Sequence, residues 1–321
     1  MKILTHENIQ ATASGKTILI GEHSAVYGHK AIAVALPDIQ LTLTLYSHNN
    51  AKYNTSSWNH AWHTTQLNKE VVMEERINNL LLLAFKKALS LVEFSFLLED
   101  FIPQKFLINS QIPLGGGMGG SAAISTCLVR IAAQIAKVSL SLDQQIQFAN
   151  EVDSLFHSGK ASGLDVSAVA SNGVIEFQKG SPIKQLHNKV HVWIALIDSG
   201  ERSETSFMVE KVKNYYDTST QLVTELFQKL NQLASTCSQA LEQGNLNEFV
   251  NSLNNSHDCL VKLGVSTNKV NNIVMNLKKQ GALAAKLTGA GGGGLVLGIF
   301  AKEPIFLYEI YGKEFVYISY L

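Results

Sequence analysis

The chain has 321 residues, of which 46% are hydrophobic, and its 26 basic side chains equal its 26 acidic ones in number. This length and composition predict a folded protein of two domains, and the balanced charge argues against general nucleic-acid binding. The cysteines are too scattered for a disulfide framework, and neither a signal-peptide-like start nor an apolar run of about 18 residues is found, so we expect a cytoplasmic protein with no membrane partner.

The first third of the chain combines short strands with one helix. Four segments are short and apolar or alternate with period two, which is typical of strands: residues 17–20, 31–36, 41–46 and 106–112. The polar residues 47–66 lack a period and predict a surface excursion. Apolar side chains recur at helical spacing from Ile77 to Ala88 and predict a helix there.

The remainder of the chain mixes helices and strands. Apolar residues from Ile124 to Ile135 step by four, three and four, so a buried helix is predicted to begin near Ser121. A second helix is predicted from Asp143, as its N-cap, to about Phe156, and most of residues 203–280 has a helical pattern. Further strands are predicted at residues 172–177, 190–197 and on both sides of the glycine run in residues 284–300.

The polar residues 179–189 are the best candidate for a domain boundary. They divide the chain into an N-terminal domain of residues 1–185 and a C-terminal domain of residues 186–321. No internal repeat is found, which argues against a repeat architecture. Because strands and helices follow one another without a regular βαβ alternation, the pattern predicts an α+β fold.

The most informative segment is IPLGGGMGGSAA, residues 112–123, with five glycines in the six positions from Gly115 to Gly120. Glycine lets the backbone adopt positive φ and approach a ligand closely. Because a helix follows at once, its unpaired N–H groups and positive dipole end face the loop and favour a phosphate group. A flexible turn with a helix cap is the structural alternative.

Two familiar phosphate-binding loops are excluded for this chain. The glycines of the segment formally satisfy GxGxxG, but no second parallel strand ending in an acidic residue follows the helix. The string SGKT at residues 14–17 resembles the end of a Walker A motif, but Gln10 stands where its first glycine is required.

Two further motifs contain candidate site residues. The segment KLTGAGGGG, residues 286–294, has more glycines than a hairpin requires, which predicts close approach to a ligand or to the other domain. Lys16, Glu22 and His23 lie on a strand and the turn that follows it. Taken alone, Lys16 would be interpreted as a solvated lysine at a strand end and His23 as a histidine in a turn. A functional role for them is favoured only because the chain also contains the two glycine-rich motifs.

Together these three segments resemble the signature motifs of the GHMP kinases, in order and spacing, over nearly the whole chain. The first motif, ILIGEHSAVYG, is most similar to the GEHxxVxG form of the mevalonate kinase branch. The resemblance implies an N-terminal domain related to the second domain of ribosomal protein S5 and a ferredoxin-like C-terminal domain. It also implies ATP-dependent phosphorylation of mevalonate, with a phosphomevalonate or sugar kinase and a non-catalytic nucleotide-binding homologue as alternatives. Either a monomer or a homodimer is expected.

The resemblance implies roles for individual residues. Asp165 resembles the catalytic base, and Lys16 resembles the lysine that contacts this aspartate and the acceptor oxygen. A lone SGxD is more often a helix cap, so the role of Asp165 depends on the other motifs. The residues expected to contact the acceptor are Glu22, His23, Gly291 and Gly292. The residues expected to hold ATP are Pro113, Leu114, Gly115, Gly116, Gly117, Met118, Gly119, Gly120, Ser121 and Ala122.

Magnesium is the second expected cofactor, with Ser121 and Asp153 as its ligands. Asp153 replaces the family's glutamate in EVDSLFHSGKASGLD, and Ser158 resembles an insertion there, so Glu151 is an alternative ligand. Aspartate is a suitable ligand because magnesium prefers hard oxygen donors. Gly120 replaces the first serine of the family's loop, which removes one hydroxyl near the phosphates.

Overall fold

The computed structural model of the chain describes residues 8–46, 61–64, 69–72, 75–93, 105–113, 116–157, 159 and 162–321. Within these residues the helices are α1 (Glu75–Leu91), α2 (Gly120–Ala136), α3 (Leu142–Phe156), α4 (Leu164–Ser171), α5 (Thr205–Thr218), α6 (Thr220–Gln243), α7 (Leu246–Lys262), α8 (Asn268–Lys279) and α9 (Leu307–Tyr311). The strands are β1 (Ile9–Ile20), β2 (Ala31–Tyr46), β3 (Ala61–Thr64), β4 (Lys69–Val72), β5 (Lys105–Ser110), β6 (Val174–Phe177), β7 (Lys184–Leu186), β8 (Trp193–Asp198), β9 (Ala284–Thr288), β10 (Leu295–Phe300) and β11 (Val316–Tyr320). No helix in this part of the chain is both long and apolar enough to cross a membrane.

Helices and strands are mixed without a regular βαβ order, which confirms the predicted α+β class. The chain divides into two compact units whose segments interleave along the sequence. The first unit takes its described residues from Met1–Gly15, Gln40–Leu114 and Gly119–Ala170, and the second from Lys16–Ile39, Gly115–Met118 and Ser171–Leu321. β1 and β2 each pass from one unit to the other. The boundary between residues 185 and 186 stays a prediction.

The first unit contains a sheet with strands in the order β4-β3-β5-β2. β3 pairs parallel with β5, and residues 41–46 of β2 pair antiparallel with β5 on its other side. Helices α1, α2 and α3 pack against one another. The apolar side chains of α2 between Ile124 and Ile135 that were expected inside are buried, and Phe85 of α1 packs edge-on against Phe106 of β5, with 5.2 Å between the ring centroids.

The second unit contains a four-stranded antiparallel sheet in the order β11-β8-β10-β9. Every residue of β9 and β10 is buried, since α8 packs on both strands and α7 packs on β9. Residues 31–34 of β2 pair with β6, which in turn pairs with β7. Helices α5 to α8 fill residues 203–280 almost completely, as the helical pattern predicts.

The two segments predicted as strands, residues 31–36 and 41–46, are both in strand conformation, but they are not separate elements. The structure joins them in the single strand β2. Residues 31–34 pair with β6 and residues 41–46 pair with β5. Pro37 lies between these two paired stretches, where neither of them needs the N–H that proline lacks, so the chain stays extended through it.

The start of α3 also differs from the prediction. Ser141, and not Asp143, is the N-cap: Gln144 N donates to Ser141 Oγ at 3.2 Å, and Ser141 N donates to Gln144 Oε1 at 2.9 Å. This reciprocal pair is a capping box, and Asp143 lies in the first turn, where its charge suits the helix dipole. The excursion predicted at residues 47–66 was wrong in part, because Ala61–Thr64 form β3; its residues 47–60 and 65–66 lie outside the described residues.

Candidate active site

The glycine-rich loop ends at the N-terminus of α2. Gly119 is the N-cap with a φ of 77°, and Gly117 has a φ of 78°, values that favour glycine. Gly119 has no side chain that could cap the helix, so the N–H groups of the first turn before Ala123, whose own N–H donates to the carbonyl of Gly119 at 2.8 Å, are available to an anion. A Cβ on Gly117 would meet no described atom within 4 Å, so among the described residues the positive φ is the feature that favours glycine there. Leu114 and Gly115 lie outside the described residues.

The loop is attached to β1 within the second unit. Lys16 N donates to the carbonyl of Met118 at 3.0 Å, which brings the first motif and the glycine loop together. Lys16 is only 3% exposed, unlike the solvated strand-end lysine that its position in isolation suggests. Of the other residues expected to hold ATP, Gly116 and Ala122 are buried and Pro113 and Gly120 are partly exposed.

A group of polar side chains in the first unit lies near the start of α2. Ser121 Oγ is 3.0 Å from Nε2 of His157, and the same nitrogen is 3.5 Å from Oδ2 of Asp153. Ser125, one turn further along α2, donates to Oδ1 of Asp153 at 3.5 Å. The two residues predicted to hold magnesium, Ser121 and Asp153, are therefore brought together, with His157 between them. Sequence reasoning did not assign His157 a place in this group.

Electrostatics connects this group to the predicted base. The pKa of Asp153 is raised, chiefly because burial disfavours the charged carboxylate, and the like charge of Asp165 adds to the rise. Interactions with His157, Ser121 and Ser125 act in the opposite direction. Asp165 thus lies in the same electrostatic environment as Asp153, and two neighbouring carboxylates favour a cation between or beside them.

Asp165 lies in the first turn of α4, a short helix that the sequence pattern does not predict. Ser162 Oγ accepts a hydrogen bond from Leu164 N at 3.3 Å, and Ser167 Oγ donates to the carbonyl of Gly163 at 2.6 Å. The helix-cap alternative for Asp165 is wrong, because α4 begins at Leu164 and Asp165 is already inside the helix.

Glu151, the alternative metal ligand, contacts a different helix. Its carboxylate pairs with Lys87 of α1 at 2.8 Å. Residues two apart on a helix do not face the same side, and Asp153 is the carboxylate that lies with Ser121. Within the described residues, no group of three or more His, Cys, Asp and Glu side chains is suited to a metal, so a metal here would also need ligands such as phosphate oxygens and water.

The acceptor-side residues of the first motif lie in the second unit. His23 Nε2 is 2.7 Å from the carbonyl oxygen of Ala290, in the loop after β9, so Nε2 donates and Nδ1 carries the lone pair. Burial lowers the pKa of His23, which favours the neutral ring. Glu22 forms a buried ion pair with Lys286 of β9. Burial is also the main cause that raises the pKa of Glu22, while Lys286 and Lys16 lower it.

Lys286 is a residue of this region that sequence reasoning missed. It lies in the fully buried strand β9 and has no exposed surface. Burial lowers the pKa of Lys286, and Glu22 acts in the opposite direction. A lysine inside an apolar strand is a usable signal, since charged side chains are rarely fully buried without a partner. Its partner is 264 positions away along the chain, beyond the reach of local patterns.

Hydroxyl groups join β1 directly to β9. Thr17 Oγ1 and Thr288 Oγ1 are 2.9 Å apart, and Thr288 Oγ1 donates to the carbonyl of Ile18 at 3.0 Å. Ile18 N in turn donates to Thr288 Oγ1 at 3.3 Å. The first and third motifs therefore lie side by side in the second unit.

The glycine run after β9 packs against residues of its own unit. Gly291 and Gly292 have φ values of 84° and 69°. Gly292 N donates to the carbonyl of Val265 at 2.8 Å, and a Cβ on Gly292 would lie 2.6 Å from Cβ of Ser203. A close approach is present, and the described residues that it involves belong to the same unit. Contact of Gly291 and Gly292 with the acceptor stays a prediction.

Comparison with known proteins gives both family and fold. Two family models match the chain: GHMP kinases N terminal domain over residues 81–173, and GHMP kinases C terminal over residues 237–315. The chain is similar to the curated mevalonate kinase of Thermococcus sibiricus, with 27% identity over 314 residues, which cover 92% of this chain and 90% of that protein.

Two solved structures share the fold. The crystal structure of L. major mevalonate kinase in complex with R-mevalonate has a TM-score of 0.75 and 20% identity, over 98% of this chain and 95% of that one. Streptococcus pneumoniae phosphomevalonate kinase in complex with phosphomevalonate and AMPPNP has a TM-score of 0.72 and 15% identity, over 98% of this chain and 100% of that one. The two structures hold different acceptors, and at these identities the likeness shows the fold alone.

Proposed function

Because the chain belongs to the GHMP kinase family, we propose that it transfers the γ-phosphate of ATP to the primary hydroxyl of mevalonate, giving 5-phosphomevalonate. The observation that carries this proposal is the contact of His157 with both Ser121 and Asp153 near the N-terminus of α2, a helix end suited to phosphate, where the charge of Asp165 also acts on Asp153. A curated relative named mevalonate kinase, similar over most of the chain, supports the choice of acceptor.

We propose Asp165 as the general base. An alcohol loses its proton as it attacks phosphorus, and a positioned carboxylate that accepts the proton contributes about 10² to 10⁴-fold to the rate. Lys16 is the proposed cation that stabilises negative charge on the attacking oxygen. Phosphoryl transfer requires little covalent chemistry from the protein, so the positions and charges of these side chains should account for most of the increase in reaction rate.

We propose that the glycine loop holds ATP and that Ser121 and Asp153 hold Mg²⁺. The donor set fits this ion, because both ligands are hard oxygens, and magnesium commonly takes one or two protein ligands and completes its shell with phosphate oxygens and water. Burial raises the pKa of Asp153, and a cation would offset the cost of ionising this carboxyl. When bound, Mg²⁺ would neutralise charge on the phosphates.

The charges near the first motif support an unphosphorylated acceptor. A phosphate on the acceptor would call for further cations, as in most phosphate sites. Lys30 pairs with Glu176 at 3.0 Å, and Lys286 pairs with Glu22, so these two cations already have carboxylate partners. The neutral His23, with its lone pair on Nδ1, is suited to accept a hydrogen bond from an acceptor hydroxyl.

The proposal is tested by ATP consumption coupled to product detection, with mevalonate, phosphomevalonate, galactose and homoserine as acceptors. We expect the highest kcat/KM with mevalonate. If the protein phosphorylated only a sugar, or only phosphomevalonate, that compound and not mevalonate would be its acceptor. ATP binding without turnover of any acceptor would identify a non-catalytic homologue. The cytoplasmic location and the monomer or homodimer stay predictions.

A further inference from the structure

The end of α3 places a histidine beside the two side chains proposed to hold magnesium. His157 is the C-cap residue of α3, and its N–H donates to the carbonyl of Ser154 at 3.2 Å. Asp153 lies four positions earlier, on the same side of the helix. Nε2 of His157 is 3.0 Å from Oγ of Ser121 and 3.5 Å from Oδ2 of Asp153. The hydroxyl of Ser121 also acts directly on the carboxyl group of Asp153. Donor atoms from two helices therefore face one another.

Stability alone does not account for the contact of His157 with Asp153. Its length, 3.5 Å, exceeds the roughly 2.7–2.9 Å that is typical of a hydrogen bond between charged groups. The side chain of His157 is 48% exposed, and ion pairs that water reaches contribute little to the free energy of unfolding. Ser125 donates to the other oxygen of Asp153, also at 3.5 Å. The carboxyl group of Asp153 thus has two long contacts, and neither is strong enough to explain why these side chains meet.

The separations between these atoms fit a shared ion. In a six-coordinate site with bonds of about 2.1 Å, neighbouring ligands lie about 3 Å apart. The distances of 3.0 Å and 3.5 Å from Nε2 of His157 to the other two atoms are close to this value. Ser121 Oγ, Asp153 Oδ2 and His157 Nε2 can therefore occupy one face of an octahedron. Because His157 is half exposed, the remaining positions are open to phosphate oxygens and water.

A nitrogen ligand changes which ion such a site favours. Magnesium prefers oxygen ligands and gives up its water reluctantly. Imidazole nitrogen is instead suited to divalent ions of the first transition row. The set of one hydroxyl, one carboxylate and one imidazole is smaller than the clusters of three or more His, Cys, Asp and Glu that the described residues lack. It still offers the ion one donor that magnesium does not favour.

We propose that His157 is a third protein ligand of the ion held by Ser121 and Asp153, and that the site therefore binds a first-row transition ion such as Mn²⁺ more tightly than Mg²⁺. This inference rests on the proposed function, because the phosphates of a nucleotide complete the coordination. His157 thereby gains a role that is not implied by the resemblance to the family motifs. Mg²⁺ can still bind through Ser121 and Asp153, with water in place of the imidazole.

The first test detects the bond between the ion and the histidine nitrogen in the wild-type protein. Mn²⁺ and ADP are added to protein made with ordinary histidine and to protein made with ¹⁵N-labelled histidine, and electron spin-echo modulation is recorded for both. We expect a ¹⁴N signal that is replaced by a ¹⁵N signal in the labelled protein. The nitrogens of ADP are unlabelled in both samples and cannot cause this difference. Identical spectra, or failure of Mn²⁺ to bind, would overturn the inference.

The second test compares the binding of the two ions to His157→Ala and to a matched control, His187→Ala, at an exposed histidine. The Kd for Mn²⁺ in the presence of ADP should rise in His157→Ala by at least the roughly 10-fold that changes beside a metal ligand cause. The Kd for Mg²⁺ should change much less, and the control should behave like the wild type. An unchanged Kd for Mn²⁺, or equal rises for both ions, would contradict the assignment of His157.

The acceptor assay separates this inference from the proposed function. Turnover of mevalonate by a protein whose spectra do not depend on the histidine label would reject His157 as a ligand and leave the function in place. Spectra that depend on the label, in a protein that turns over no acceptor of the panel, would support His157 as a ligand and reject the function.

Discussion

Replacing Lys286 by methionine should destabilise the protein strongly. Methionine keeps the length of the side chain but leaves Glu22, which is 2% exposed, without its counter-ion. Removing one partner of a buried ion pair costs about 3–5 kcal/mol, much more than an exposed pair does. The free energy of unfolding at pH 7, measured by urea denaturation, should fall by about this amount.

The pH dependence of this loss has a defined sign. Burial raises the pKa of Glu22 above 4.5, and Lys286 opposes the rise; without Lys286 the folded-state pKa of Glu22 rises further. A carboxyl whose folded pKa lies above its unfolded value opposes folding at higher pH and ceases to do so as the pH falls and it protonates. The loss should therefore be larger at pH 8 than at pH 5.

Two comparisons decide whether this reasoning holds. Glu22→Gln/Lys286→Met should recover most of the stability, because it leaves no unpaired charge in the interior. Lys279→Met, at an exposed position, should change stability by about 0.5 kcal/mol or less. A loss in Lys286→Met that is independent of pH, or that grows as the pH falls, would refute the account, as would a double variant that is as unstable as the single one.

Three further predictions concern the candidate site and the third motif. Asp165→Asn should lower kcat by about 10² to 10⁴-fold and leave the Kd for ATP, measured by titration, unchanged; unaltered turnover would remove Asp165 as the base. Asp153→Asn should weaken Mg²⁺-dependent turnover and stabilise the ligand-free protein at pH 7. Burial raises the pKa of Asp153 above 3.8, so the ionisation of this carboxyl opposes folding as the pH rises. Denaturation curves of the variant that coincide with the wild type at pH 7 would contradict this. Gly292→Ala should lower the free energy of unfolding, measured by urea denaturation, by about 1–3 kcal/mol more than Gly289→Ala does. Both glycines have positive φ, but only a Cβ at position 292 would clash with a neighbour, Ser203. Equal losses in the two variants would show that backbone strain alone determines the cost.

The fold class and the principal helices could be predicted from the sequence because their signals are local. The spacing of apolar residues from Ile124 to Ile135 marks the buried face of α2, and the glycine loop before it marks the helix start. The short helix α4 escaped prediction because its eight residues hold too few turns for a period to appear. The N-cap of α3 was misplaced because Ser141 and Asp143 are both good caps, and only Gln144 decides between them.

The site could be predicted in part. Motif similarity pointed to Ser121 and Asp153, and the structure places them together. The contact of His157 with Ser121, 36 positions apart, and the pairing of Lys286 with Glu22 depend on how distant segments fold together. No local pattern contains that information. The sequence predicts that the glycines of the third motif approach a ligand or the other domain closely. In the structure the residues packed tightly against them, such as Val265, belong to a different stretch of the same unit.

The bond between Thr17 and Thr288 spans 271 positions of the chain, which has a consequence for biosynthesis. The first motif emerges early from the ribosome, yet its hydroxyl partner and the counter-ion of Glu22 are translated almost last. Closing so long a loop is slow, and the nascent chain meanwhile exposes an unfinished interior. A premature stop codon before Lys286 should therefore yield material that the cell degrades, and not a shortened enzyme with reduced turnover.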